Sequence, residues 1–301
     1  MRLSGSALPL IALATTIVLW GSAYVAIRIA LDGFSVAGLT AGRVVVSGLV
    51  LAVVAPFVGV RRPARRDLPR LILCGIVGVT GYQLLLNSGQ RTVPAGTTSL
   101  LINTAQLFTA LLAWLLLRDH LGGRRWAGIA IGFVGAAVMA LSGGDGLRLS
   151  GNALLVVTAA LCFALFIVLQ KPLLRRYSGI EVTCYAMWAG TLVALPFVPA
   201  LAGDLPSAGT KPILAILFLG IATSAIGFAT WAYALSRFDI ATTANALYLL
   251  PIVAVTAGWL ILGEQPHTIT VVGGAIVLSG VIIARSRPRQ TGTLRPIDQL
   301  V

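Results

Sequence analysis

Apolar residues in this 301-residue chain come in long runs, separated by short polar or charged turns. A bilayer core takes about 20 predominantly apolar residues per helix. Runs of that kind lie at about 8–31, 36–58, 68–90, 95–117, 126–142, 152–170, 180–201, 212–236, 240–262 and 268–284. The pattern predicts an all-α membrane protein with ten transmembrane helices. The first run is too long for a cleaved signal peptide and carries Trp20 and Arg28, so it counts as a membrane helix.

One stretch is written twice. Gly96 to Asp119 reappears, shifted by 145 positions, as Ala241 to Glu264. Thr97 falls on Thr242, Trp114 on Trp259, Asp119 on Glu264, and further on Gly128 falls on Gly273 and Gly135 on Gly280. A register kept this long without a gap marks an internal duplication. It divides the chain into a first five-helix repeat (1–143), a polar Gly-rich linker (144–151), a second repeat (152–285) and a basic tail (286–301).

Composition agrees with the pattern: 57% apolar, 10% charged, mean hydropathy +0.94. In a soluble protein the net charge of +13 would point to nucleic acid. Here it sorts by loop. With the N-terminus inside, seventeen Lys and Arg lie on the cytoplasmic side and five (Arg28, Arg43, Arg91, Arg148, Lys211) on the other, which places both termini inside. Five helices per repeat is an odd number, so the second repeat enters the membrane inverted. Inverted repeats are the build of many secondary transporters, with the site near the midplane between the halves.

Candidate site residues follow from depth. Gln106 and Asn103 share a face of the fourth run, and Asn245 and Tyr248 show the same spacing ahead of Pro251 in the ninth. Each alone also reads as interhelical glue; four at matching depths in both halves point to a cavity lining. Pro251 is expected to free the carbonyl of Leu247 and kink its helix. The aromatics Trp20, Tyr24, Tyr82, Tyr185, Trp188 and Trp231 lie inside runs rather than at their ends. Singly they also read as lipid-facing or packed; as a set facing one another they suit a zwitterion with an apolar side chain. Arg43 stands about seven residues into the second run and reads either as a cation snorkelling outward or as a carboxylate-binding or gating group. The glycines of the fifth and tenth runs mean close helix packing, at a dimer face or within the bundle.

The stretch WGSAYVAIR (Trp20–Arg28), the paired fourth–fifth and ninth–tenth runs, LILGEQP with Glu264, and the closing GGAIVLSGVIIA resemble EamA-type members of the drug/metabolite transporter superfamily. The resemblance covers nearly the whole chain, with bacterial aromatic amino acid exporters a close match. It implies a ten-helix secondary transporter that exports amino acids or other small metabolites across the inner membrane. Such sequences usually carry Pro in the middle of the fourth helix too, where this chain has Gln106, which puts the symmetric pair of kinks in question.

Other chemistry finds no support. The chain has no GxxxxGK phosphate loop and no HExxH. Cys74, Cys162 and Cys184 form neither a disulfide framework nor a zinc pattern. No enzyme activity, cofactor or metal is expected; the partners are a small-molecule substrate and the bilayer, with no nucleic acid, in a monomer or homodimer. The nine Asp and Glu all fall in turns, tails or terminal helical turns. Export therefore reads as facilitated diffusion or exchange, with export of other small organic solutes or drugs driven by proton antiport as the alternative. A non-transporting scaffold or receptor is the alternative from another class.

Overall fold

The computed structural model describes residues 7–117, 122–141, 150–237 and 246–285. Asn245, most of the linker and the tail lie outside the described residues. In chain order the described helices are α1 (Ala7–Leu31), α2 (Val36–Val54), α3 (Arg65–Gly89), α4 (Ala95–Ile102, then Ala105–Leu117) and α5 (Gly123–Leu141). They continue as α6 (Gly151–Gln170), α7 (Gly179–Asp204), α8 (210–237), α9 (Leu247–Leu262) and α10 (Thr268–Arg285). No strand occurs among the described residues. Six helical stretches, in α1, α2, α3, α6, α7 and α8, are long and apolar enough to cross a bilayer.

Helix starts are set by local chemistry. Ser35 accepts the Gly38 N–H at the head of α2, and Ser150 the Ala153 N–H at the head of α6. Ser178 and Glu181 form a reciprocal capping box on α7. Outward-facing side chains such as Leu49, Phe57, Leu192 and Leu260 are apolar and exposed, as a lipid-covered surface requires.

The packing interleaves the two repeats. α1 lies against α8 and α9, while its counterpart α6 lies against α3 and α4. The corresponding pairs α2 with α7, α4 with α9 and α5 with α10 also meet. Each relation maps onto itself or its partner when the repeats are exchanged, which is the mark of an approximate twofold.

The glycines settle into this scheme. A Cβ on Gly128 would collide with the backbone of Ala284 and lie 2.6 Å from the Gly280 carbonyl oxygen; one on Gly280 would collide with the backbone of Gly132. Gly135 and Gly273 stand in the same relation to each other. The glycine faces of α5 and α10 are thus spent on each other inside one chain.

Two irregularities obey the duplication. α3 runs as a π-helix over Gly75–Gly81 and α8 over Phe218–Ile226; a 145-residue shift carries the first onto 220–226, inside the second. In α4 the α-helical ladder breaks at Asn103 and Thr104, whose N–H groups bond three residues back, to Leu100 and Leu101. In α9 a 3-10 turn occupies Leu247–Leu249 at the same register.

α4 therefore bends without proline. Asn103 Nδ2 donates to the Ser99 carbonyl and Thr104 Oγ1 to the Leu101 carbonyl, so side chains compete with the helical ladder where Gln106 replaces the usual proline. In α9 the expectation for Pro251 is corrected in detail. The carbonyl of Leu247 is not left open, because the Leu250 N–H bonds to it in the 3-10 turn, and Pro251 sits in the first turn of the following α-helix.

Candidate functional site

Where α1, α2, α3, α4, α6, α7, α8 and α9 converge, they line a cavity of about 90 Å³. Of the twelve candidates from the sequence, Trp20, Tyr24, Arg43, Tyr82, Asn103 and Gln106 line it together. Phe163, Phe228, Leu247 and Leu250 complete an apolar and aromatic wall, with Tyr82 against Phe163 at 5.4 Å and Trp20 against Phe228 at 5.0 Å between ring centroids. Trp20 is locked by its indole N–H, which donates to the Thr223 carbonyl at 3.0 Å.

Asn245 lies outside the described residues, and the other five candidates lie off this wall. Tyr185 donates to the Arg61 carbonyl near the end of the bundle that holds the α2–α3 and α6–α7 turns. Trp188 donates to the Gly48 carbonyl at 3.1 Å, within an apolar cluster of α2, α3 and α7. Trp231 stacks on Trp20 at 5.5 Å, behind the wall rather than in it. Tyr248 packs against the main core and is not on the wall, and Pro251 is buried beside α9's first turn. Helical spacing fixes which residues share a face, but not which face turns inward. Tyr185 and Trp188 share a face of α7 that does not line this cavity.

Arg43 is the cation of the site. It does not reach for the surface: it is 7% exposed, with Nη1 donating to Gln83 Oε1 at 2.9 Å. Its Nε and Nη2 reach Ser224 Oγ and Thr223 Oγ1, each at 3.4 Å. The π-helical segment of α8 presents these two consecutive hydroxyls. Both donate their own protons to the Leu219 carbonyl, which leaves oxygen lone pairs for the guanidinium. No acidic side chain lines the cavity among the described residues. Gln83, Thr223 and Ser224 were not singled out from the sequence; the readable signal was a Gln directly after Tyr82 in the middle of an apolar run.

Four of the five described acids, all at helix ends, are tied, and the fifth, Asp32, is exposed. Glu181 is held by the Arg61 side chain at 2.9 Å and by Ser178. Asp67 takes Arg176 and Tyr177, both at 2.9 Å. At the opposite end Glu264 pairs with Arg28 at 3.4 Å and accepts the Ala95 N–H at 2.7 Å. Arg28 also caps the carbonyls of Gln90 and Arg91. Asp204 accepts from Ser35 at that end as well. Glu264 and Thr270 line a second, wider pocket of about 460 Å³ there.

The family model for the EamA-like transporter family matches this chain twice, at residues 7–141 and 151–286. A probable terminal-alkyne amino-acid exporter of Streptantibioticus cattleyicolor is 44% identical over 92% of this chain and 93% of its own length. The uncharacterized transporter YdfC of Bacillus subtilis is 31% identical over 87% of this chain and 86% of its own length. A probable amino-acid metabolite efflux pump of Salmonella typhimurium is 24% identical, over 89% and 91%. One solved crystal structure shares the fold with a TM-score of 0.62 at 19% identity, covering 92% of this chain and 96% of that one. With both repeats matched and apolar helices throughout, this multi-pass membrane protein belongs to the EamA-like transporter family.

Proposed function

We propose that this chain exports small amino acids or closely related metabolites by alternating access, as facilitated diffusion or exchange. The observation that carries the reading is the cavity between the repeats, walled by aromatics and amides and furnished with one buried cation. The cavity is small, roughly 90 Å³. That volume suits a short aliphatic or unsaturated side chain better than an indole. The relative named for terminal-alkyne amino acids fits the same chemistry.

In this reading all ten helices span the bacterial inner membrane, the two five-helix repeats (1–143 and 152–285) are inverted, and both termini are cytoplasmic. The unequal basic loops and the exchange-symmetric packing support it. A reporter active only in the periplasm, fused after Val301, is expected to stay silent. A strong signal there overturns the topology.

Flux in proteoliposomes tests the function. Purified protein is expected to equilibrate a small neutral amino acid, whereas a scaffold or receptor gives no flux. With the membrane potential clamped, an imposed pH gradient is expected to leave the final distribution unchanged. The cavity offers amides, hydroxyls, aromatics and an arginine, none of which exchanges a proton near neutral pH. Accumulation driven by the pH gradient alone overturns that part of the reading and favours proton antiport, with Glu264 the first residue to replace.

A further inference from the structure

We infer that Arg43 is the anchor for a carboxylate, and that the amino group of an amino-acid substrate is not a recognition element. The transporter thus takes small monocarboxylates, aminated or not. This inference rests on the transport reading above and sharpens its substrate class.

Three observations meet at Arg43. First, a guanidinium carries five N–H donors in a planar fork that matches a carboxylate, and here it is buried against neutral groups only: Gln83, Thr223 and Ser224. Two of those three contacts are long, at 3.4 Å. Second, Arg43 and Gln83, hydrogen-bonded to each other, both line the cavity. A buried ionised group within a membrane segment is costly to keep, and an opposite charge is its natural partner. A carboxylate arriving in the cavity would replace the Gln83 carbonyl and turn a neutral hydrogen bond into a charge-assisted one. Third, the described wall offers no acid for an ammonium group. What the wall offers it are the aromatic side chains of Trp20, Tyr24 and Tyr82 and the amide side chains of Asn103 and Gln106. Such groups tolerate an ammonium without requiring one. The apolar tail then lies against Phe163 and Phe228.

A matched set of compounds tests this on the purified protein: norvaline, pentanoate (norvaline without its amine), butylamine (norvaline without its carboxylate) and norvaline methyl ester. Each competes against labelled norvaline, and norvaline flux is measured in parallel in proteoliposomes. Pentanoate is expected to compete within about five-fold of norvaline, while butylamine and the ester fall at least about ten-fold behind, as loss of a charge-assisted pair predicts. Arg43→Gln is expected to lose at least about ten-fold in affinity for norvaline and pentanoate alike. Arg43→Lys, which keeps a cation but loses the planar fork, is expected to fall between the parent and Arg43→Gln for norvaline and pentanoate and to leave butylamine competition unchanged. A merely structural role for Arg43 weakens all four compounds alike, so the ratio of pentanoate to butylamine competition in Arg43→Lys decides the matter even where Arg43→Gln fails to fold. If norvaline is carried but butylamine competes as well as pentanoate, the carboxylate anchor is wrong and the transport reading stands. If pentanoate binds and no norvaline flux is seen, the anchor stands and amino-acid export is wrong. Failure of all four compounds to bind overturns both.

Discussion

Gly280→Leu is expected to remove most of the folded protein from the membrane, and Gly128→Leu to do the same. The two residues occupy the crossing of α5 and α10, where backbone meets backbone. A Cβ on Gly280 collides with Gly132, and a Cβ on Gly128 lies 2.6 Å from the carbonyl oxygen of Gly280. Flexible side chains can turn aside, but a helix backbone cannot, so the helices must separate. The loss includes the surrounding contacts of Met139, Val277 and Val281, all fully buried in the main core. Overpacking a well-packed site typically costs about 1–3 kcal/mol, and a clash against backbone on both sides belongs at the upper end or beyond. In lipid there is no hydrophobic drive to restore the pair, because helices associate there through close packing. Gly280→Ala is expected to be milder, and Gly122→Ala, which meets nothing within 4 Å, to be silent. Membrane-extracted protein eluting as one monodisperse peak at parental yield for Gly280→Leu would show that the crossing is not needed.

The fold was legible to the extent that lipid dictates it. Every backbone polar group in a bilayer core must be bonded within the protein, so long apolar runs had to be helices, and the 145-residue echo divided them into two repeats. The echo even carries structure that has no sequence signature of its own. The π-helical stretches of α3 and α8 coincide under it although only Gly75 with Gly220 and Ile76 with Ile221 are shared by type. The break in α4 was not legible, because it depends on side chains that compete with the ladder rather than on proline. Asn103, Thr104 and Ser99 could equally have stayed within a regular helix.

The candidate site was half legible. Trp20, Tyr24, Arg43, Tyr82, Asn103 and Gln106 come together because polar and aromatic groups deep in apolar runs have few other places to go. Tyr185 and Trp188 have the same sequence character, yet they find their partners in the carbonyls of Arg61 and Gly48. A single helix pattern does not reveal such long-range acceptors. Arg43 shows the converse. Only the tertiary fold says whether it snorkels or turns inward, since Gln83 and Thr223 come from other helices.

Cross-linking either end of the bundle is expected to bring transport to background, and cleaving the link to restore it. Alternating access requires each face to open in turn while the other is shut, by rocking of one unit against the other around a fixed site. In this structure both ends are tied by charged groups that join the two repeats. At one end Arg61 of the α2–α3 turn holds Glu181 at the head of α7 at 2.9 Å, reinforced by Arg176 with Asp67. At the other, Arg28 of α1 holds Glu264 beyond α9 at 3.4 Å, and Glu264 in turn holds the Ala95 N–H at the head of α4. Neither cluster lines the cavity, so in the proposed cycle each would act on access and not on substrate chemistry. The arginines stay within reach of solvent, Arg61 69% and Arg28 32% exposed, while their partners Glu181 and Glu264 are 5% and 18% exposed, so water can replace the arginine side of each tie when a face opens. The test pairs are Arg28→Cys with Glu264→Cys and Arg61→Cys with Glu181→Cys, each on a Cys162→Ala background, since Cys74 and Cys184 are buried. A short cleavable thiol reagent then bridges each pair. Flux is expected to fall at least about ten-fold with either bridge in place, because a cycle held at one face delivers no net transport, and to return on cleavage with uncross-linked variants active throughout. If both bridges together leave flux unchanged, these ends do not separate during transport, and the two ion-pair clusters are fixed parts of the scaffold.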